Sequence, residues 1–161
     1  MIDIVVDDEG ISDSLPDNDV ICRAVETASA EAGAIGAPHL CIRFADDASV
    51  KSLNSQWRGK ERVTDILSFP MQDGPDFDLD ESLGDMILAT PFTLKEAERL
   101  SLAATDHMLH LIVHGTLHLL GYDHMEDSEA ETMQKIESST MQKLGLHNPY
   151  PNEFYKDEEH V

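Results

Sequence analysis

The sequence predicts an α+β fold: a small mixed four-stranded sheet packed with about five helices, with the metal site on the helix that carries His114-Gly-Thr-Leu-His-Leu-Leu-Gly-Tyr-Asp-His124. Three observations lead there. Four short segments have the alternating or continuously apolar character of strands, and five carry apolar residues at helical spacing. Their order along the chain is β-α-β-α-β-β-α-α-α, mixed but without strict alternation. The 161 residues, 41% of them hydrophobic, are enough for one domain with a core of its own.

Each element has its own justification. Residues 2–7 alternate briefly before an acidic turn and read as a strand. Asp17 is placed to cap a helix whose Val20, Ile21, Ala24, Val25 and Ala28 share one face, and Gly33 is placed to end it. "LCIRFAD" is a second strand, with Ile42 and Phe44 on the face opposite Cys41, Arg43 and Ala45. Asp46 or Asp47 caps a short helix in which Val50, Leu53 and Trp57 recur at i, i+3 and i+7, so Trp57 is expected in the core. "DILSFP" is a third strand closed by Pro70; residues 72–82 are polar, acidic and turn-forming; "LGDMILA" is a fourth strand.

Thr90-Pro91 starts a helix that runs to about Leu102, because proline suits the first helical position. A longer helix begins near Thr105 and ends at Gly121. Ser128 and Glu131 have capping-box spacing for a last helix reaching about Leu144. The domain is expected to span 1–147, with 148–161 a loosely held tail.

The formal net charge is −21, which repels polyanions at long range and by itself argues against a nucleic-acid partner. The cations are not spread evenly: Lys51, Arg58, Lys60 and Arg62 are four of eleven and lie within twelve residues, leaving room for a local basic site on an acidic body. No apolar run approaches the roughly 20 residues of a membrane span, and no secretory signal is visible at the start. Cys22 and Cys41 therefore read as reduced thiols in a cytoplasmic protein.

The chemistry concentrates in one stretch. On a helix, His107, His110, His114 and His118 fall within an arc of about 80°. Histidines at i and i+4 present two imidazoles to one side, where both reach a tetrahedral ion at about 2.0–2.1 Å. Gly121 then allows the left-handed turn that returns His124 to the same ion. Three imidazoles and one open position describe a catalytic zinc site holding one ion, since structural zinc usually has four protein ligands. His107 and His110 lack this context and read as structural or as supports for the ligands; His39, His147 and His160 are isolated. Asp85 and Asp123 are candidates to orient an imidazole, Thr64 and Asp65 to shape a turn, and Ser68 to face the cleft.

The spacing H-x3-H-x2-G-x2-H is also that of metzincin-type zinc peptidases. Their general base is a glutamate directly after the first histidine; here that position is Gly115, which takes no proton. The spacing thus supports zinc more strongly than peptidase activity.

A closer resemblance lies elsewhere. "HGTLHLLGYDH" resembles the H-G-x-L-H-L-x-G-Y-D-H signature of the YbeY family of bacterial endoribonucleases. "LNSQWRGKERVTDILSFP" resembles that family's L-N-x-x-[YW]-R-x-K-x-x-x-T-D-V-L-S-F-P block, with Ile66 for valine, and "LGDMILA" and "HNPY" also fit, in register over residues 50–150. The resemblance implies that His114, His118 and His124 hold zinc and that Arg58 faces the metal cleft and acts in catalysis. It implies cleavage of single-stranded RNA, maturation of ribosomal RNA, notably the 3′ end of the 16S RNA, ribosome quality control, and a ribosome or small-subunit partner, with no membrane. An open-sided zinc ion and a bidentate arginine suit phosphodiester hydrolysis. The two other readings are a peptidase that recruits its base elsewhere and a ribosome-assembly factor with structural zinc.

Overall fold

In the computed structural model, residues 1–7, 13–34, 36–74, 76–123 and 126–151 are described. Strand β1 (Ile2–Val6) leads through helix α1 (Asn18–Glu31) to β2 (His39–Ala45), and α2 (Asp47–Arg58) leads to β3 (Ile66–Pro70) and β4 (Ser82–Ala89). Three helices follow: α3 (Thr90–Arg99), α4 (Ala104–Leu119) and α5 (Asp127–Lys143). The strands form one sheet in the order β1-β2-β4-β3. β1, β2 and β4 are parallel and β3 runs antiparallel to β4, pairing Ile66 with Leu88 and Pro70 with Gly84. Pro70 lacks an N–H to donate, and it sits at the end of an edge strand, where the loss is tolerated.

Alternation along the strands divides the core. Ile42, Phe44, Ile66, Met86 and Leu88 face one side and pack with α1, α4 and α5. Ala45, Leu67, Ile87 and Ala89 face the other, under Val50 and Leu53 of α2. Helix α4 lies within the larger core, and twelve of its sixteen residues are buried. It lies directly against the sheet at Gly115, where an added Cβ would stand 2.9 Å from Ile66 Cδ1 and from Met86 Sδ.

Several local expectations hold and several fail for identifiable reasons. Asp46 caps α2 by accepting from the Ser49 N–H at 2.7 Å. Asp17 occupies the N-cap of α1, but its side chain makes no capping bond; its carbonyl receives Val20 and Ile21. α3 stops at Arg99, short of Leu102. α5 starts at Asp127 with Glu126 as N-cap, so Ser128 and Glu131 lie inside the helix and form no capping box. Trp57 is not in the core: it is 65% exposed. The buried face of α2 ends at Val50 and Asn54, and the Asn54 amide binds the Arg62 carbonyl at 2.9 Å as the chain returns from its left-handed turn at Gly59. The last helical turn, with Trp57 and Arg58, extends past that anchor.

Candidate metal centre

A helix buried on nearly all sides has no solvent to satisfy polar side chains, so each histidine on α4 needs a protein partner. His107 pairs through Nε2 with Glu96 of α3. His110 Nε2 donates to Glu137 Oε2 at 2.7 Å, and Glu137 reaches this position from α5. His114 Nδ1 donates to the other oxygen of Glu137 at 3.1 Å. His118, half-buried at the end of the helix, donates from Nδ1 to the Tyr122 carbonyl at 3.0 Å.

That carbonyl is supplied by the way the helix ends. Gly121 adopts φ +91°, and the N–H groups of Gly121 and Tyr122 return to the carbonyls of His118 and Leu117, each at 3.0 Å. This is the Schellman closure for which glycine is suited. It satisfies the last carbonyls of α4 and turns the Tyr122 carbonyl back onto His118. Gly121 thus behaves as its position in the sequence predicts.

These bonds fix both tautomers. A carbonyl oxygen only accepts, and so does an ionised carboxylate, so His118 and His114 each carry their proton on Nδ1. Their Nε2 atoms then present lone pairs, and the two stand 3.0 Å apart with the rings edge to face. Two lone pairs at that distance repel unless a metal cation or a proton lies between them. Two nitrogens on one tetrahedral cation at about 2.0–2.1 Å would stand about 3.3 Å apart, close to what is found. The donor set fits a zinc-type ion on chemical grounds: neutral nitrogen donors, already oriented, at the boundary between core and surface.

The electrostatics keep the acceptor of the His114 proton ionised. Burial alone would raise the Glu137 carboxyl, but His114 and His110 hold it well below the usual carboxylate range. Burial alone would lower His114, yet Glu137, with a smaller contribution from Asp65, more than offsets this and leaves its pKa raised. Asp65 is buried, and it accepts from the Ile66 N–H at 2.7 Å, which shapes the start of β3 as expected.

His124 lies outside the described residues, as does His160. Of the expected triad, the structure therefore brings His114 and His118 together. Arg58 is tied to the neighbouring strand: its Nη2 donates to the Ser68 carbonyl at 3.4 Å. Ser68 in turn faces α4, with its Oγ 3.3 Å from the position of a Cβ on Gly115. Asp85 does not approach the histidines. It alternates with Met86 and lies on the α2 side of the sheet with Ile87, opposite Cys41 on β2. His39 meets the amino terminus instead, and the His147 ring packs edge-on against His110 at 6.1 Å. Cys22 and Cys41 are free thiols, both pushed up by burial.

Two residues were not singled out from the sequence. Glu137 anchors two histidines from a different helix, 23 residues beyond His114. Tyr150 donates its hydroxyl to Glu137 Oε2 at 3.0 Å. A buried glutamate in the middle of an amphipathic helix was the available signal, but periodicity alone does not show which residue it faces.

A sheet flanked by helices on both sides, with paired imidazoles at the end of its buried helix, defines a class: single-sheet α+β domains with a histidine pair on the buried helix. The particular family follows from comparison. The family model described as Endoribonuclease YbeY matches residues 8–145. Curated relatives bearing that name include one from Rhizobium etli, 43% identical over 75% of this chain and 71% of its own length. Another, from Azorhizobium caulinodans, is 38% identical over 92% and 95%. The chain belongs to the YbeY endoribonuclease family. In fold it is similar to the solution structure of a Thermotoga maritima protein, with a TM-score of 0.58 and 24% identity, covering 94% of this chain and all of that one.

Proposed function

We propose that this chain is a zinc-dependent endoribonuclease that hydrolyses phosphodiester bonds in single-stranded RNA. Its single zinc ion is held by His114, His118 and His124. The observation that carries this reading is the pair of Nε2 atoms facing each other at 3.0 Å while both Nδ1 atoms are tied down. When bound, the ion supplies Lewis acidity toward a phosphoryl oxygen and activates water. The chain's own part is to hold the ligands in the correct tautomer and to bind substrate. Arg58, exposed at the end of α2 and attached to the strand beside Gly115, offers the planar fork that matches a phosphate. Lys60 and Arg62, also exposed, extend this positive edge.

The family points to RNA as substrate. We place the reaction in maturation of ribosomal RNA, at the 3′ end of the 16S RNA, and in ribosome quality control, in the cytoplasm. A charge of −21 disfavours indiscriminate RNA binding and favours RNA presented by the small ribosomal subunit. No helix among the described residues is long and apolar enough to cross a membrane.

The peptidase reading meets a steric obstacle as well as a chemical one. A glutamate at Gly115 would enter the space of Ile66, Met86 and Ser68 instead of reaching the imidazoles. The test is to incubate the protein with single-stranded RNA and with casein, before and after chelation. The proposal expects RNA cleavage only, lost with chelator and restored by zinc. Casein cleavage, or RNA cleavage indifferent to chelator, contradicts it. Cleavage of neither, with zinc retained, favours an assembly factor.

A further inference from the structure

We propose that Glu137 is the positioning residue of the metal centre, and that Tyr150 and His110 hold its carboxylate so that metal affinity depends on the segment following α5. This rests on the reading of His114 as a metal ligand.

The argument begins with burial. Glu137 is 1% exposed and His114 is 2% exposed. An ionised carboxylate at that depth is costly unless its lone pairs are met by donors. Here three donors meet it: His114 Nδ1 on Oε1 at 3.1 Å, and His110 Nε2 and the Tyr150 hydroxyl on Oε2 at 2.7 and 3.0 Å. Both oxygens are engaged and the donors arrive from two elements, α4 and the segment after α5. The carboxyl group therefore has little freedom to rotate, and the ring it holds inherits that restriction.

The consequence for His114 is specific. An imidazole has two tautomers, and only the one protonated on Nδ1 offers a lone pair at Nε2. Glu137 selects that tautomer by accepting the Nδ1 proton and aims Nε2 at His118. It also raises the ring's electron density, which strengthens a donor bond to a cation. His118 is treated differently: its Nδ1 partner is a backbone carbonyl fixed by the helix terminus, which no side-chain substitution removes. The two imidazoles are thus tied to different kinds of acceptor, a backbone carbonyl for His118 and a side chain from a remote helix for His114.

Tyr150 adds a connection to the C-terminal segment. Its ring lies edge-on to His110 at 6.0 Å while its hydroxyl closes on Glu137. Removing that hydroxyl leaves the carboxylate in place but takes away one of its three donors.

The test is a competition titration of metal-stripped protein with zinc against a chromophoric chelator, run beside thermal melts of the metal-free forms. Glu137→Gln keeps the shape but offers His114 a weaker, rotatable acceptor. Its zinc affinity should fall about 10- to 100-fold. Tyr150→Phe, which keeps the ring, should weaken zinc binding about 2- to 10-fold, the equivalent of one hydrogen bond. Nitrogen-15 spectra of the metal-free wild type should show His114 protonated on Nδ1, and Glu137→Gln should populate the other tautomer. A purely structural glutamate would lower the melting temperature of Glu137→Gln and leave the affinity of the folded fraction unchanged; that result overturns the proposal. If Glu137→Gln does not fold, Tyr150→Phe with wild-type zinc affinity overturns it. A wild type that binds no zinc defeats the metal reading itself, whereas tight wild-type binding with unaffected variants defeats only this inference.

Discussion

Replacing Arg58 by alanine separates catalysis from folding. Arg58 is exposed at the last position of α2, and its guanidinium makes a long hydrogen bond, 3.4 Å to the Ser68 carbonyl. A surface contact of that kind contributes at most about 0.5 kcal/mol. For a chain of this size that is a change of about 1–2 °C in melting temperature. The cost to catalysis works out very differently. A preorganised donor aimed at charge developing in the transition state accounts for about 10²–10³ in kcat, or about 2.7–4 kcal/mol. Arg58→Ala should therefore keep its fold and its zinc while cleaving a labelled single-stranded oligoribonucleotide at least about 100-fold more slowly. Arg58→Lys retains the charge but not the planar fork, and should fall between the two. Initial rates at saturating zinc, metal content and a thermal melt are measured on the same samples. Cleavage by Arg58→Ala within about threefold of wild type would refute the reasoning, since so small a factor is only about 0.65 kcal/mol. Loss of zinc from that variant would refute it too, by showing that Arg58 supports the metal instead of the substrate.

Other perturbations test other parts of the structure. At Gly84 φ is +139° and an added Cβ would stand 2.2 Å from the Phe69 carbonyl oxygen, a backbone atom that cannot swing aside. Gly84→Ala should cost about 2–4 kcal/mol and lower the melting temperature by about 4–16 °C; an unchanged melt would mean the β3–β4 register is wrong. Trp57 is the chain's one tryptophan and is 65% exposed beside Arg58, so its fluorescence should be quenched by single-stranded RNA, less so as salt rises. Fluorescence indifferent to RNA at binding concentrations would place the strand elsewhere. Hydrogen bonds from Lys143 and Ser139 hold the Glu31 carboxyl below its ordinary value of 4.5. A depressed folded pKa means that this α1–α5 clasp stabilises above pH 4.5 and is lost as pH falls through the lower folded value. Glu31→Gln should therefore show a slightly shallower loss of stability on acidification, and an identical acid limb would contradict the clasp.

Legibility in the sequence followed the range of the interaction that fixes each feature. The His114–His118 pair and the Gly121 closure depend on residues within one or two helical turns of each other, so spacing alone revealed them. The strands were visible because Ile42, Phe44, Ile66 and Leu67 keep the sheet's period or run continuously apolar. The Glu137 contact was hidden because two helices separated by a reversal of the chain meet there, and nothing local records which histidine a glutamate will face. Trp57 misled because its i, i+7 relation to Val50 is a statement about one helix face, whereas exposure depends on how far the sheet extends beneath that face. Asp85 was a reasonable candidate by charge, and the alternation of β4 put it on the wrong side. The capping box at Ser128 failed because α5 begins two residues earlier than that box requires, at Asp127 with Glu126 as its N-cap.

X-ray absorption at the zinc edge, on protein loaded with one equivalent, most directly tests the central claim that imidazoles meet at one cation with a face left open. The account predicts nitrogen and oxygen donors at about 2.0–2.1 Å, with three imidazole signatures and one solvent oxygen. His114→Ala and His118→Ala should each remove one imidazole signature. A shell containing sulfur at about 2.3 Å, four side-chain donors with no solvent, or imidazole scattering unchanged by either substitution would contradict it.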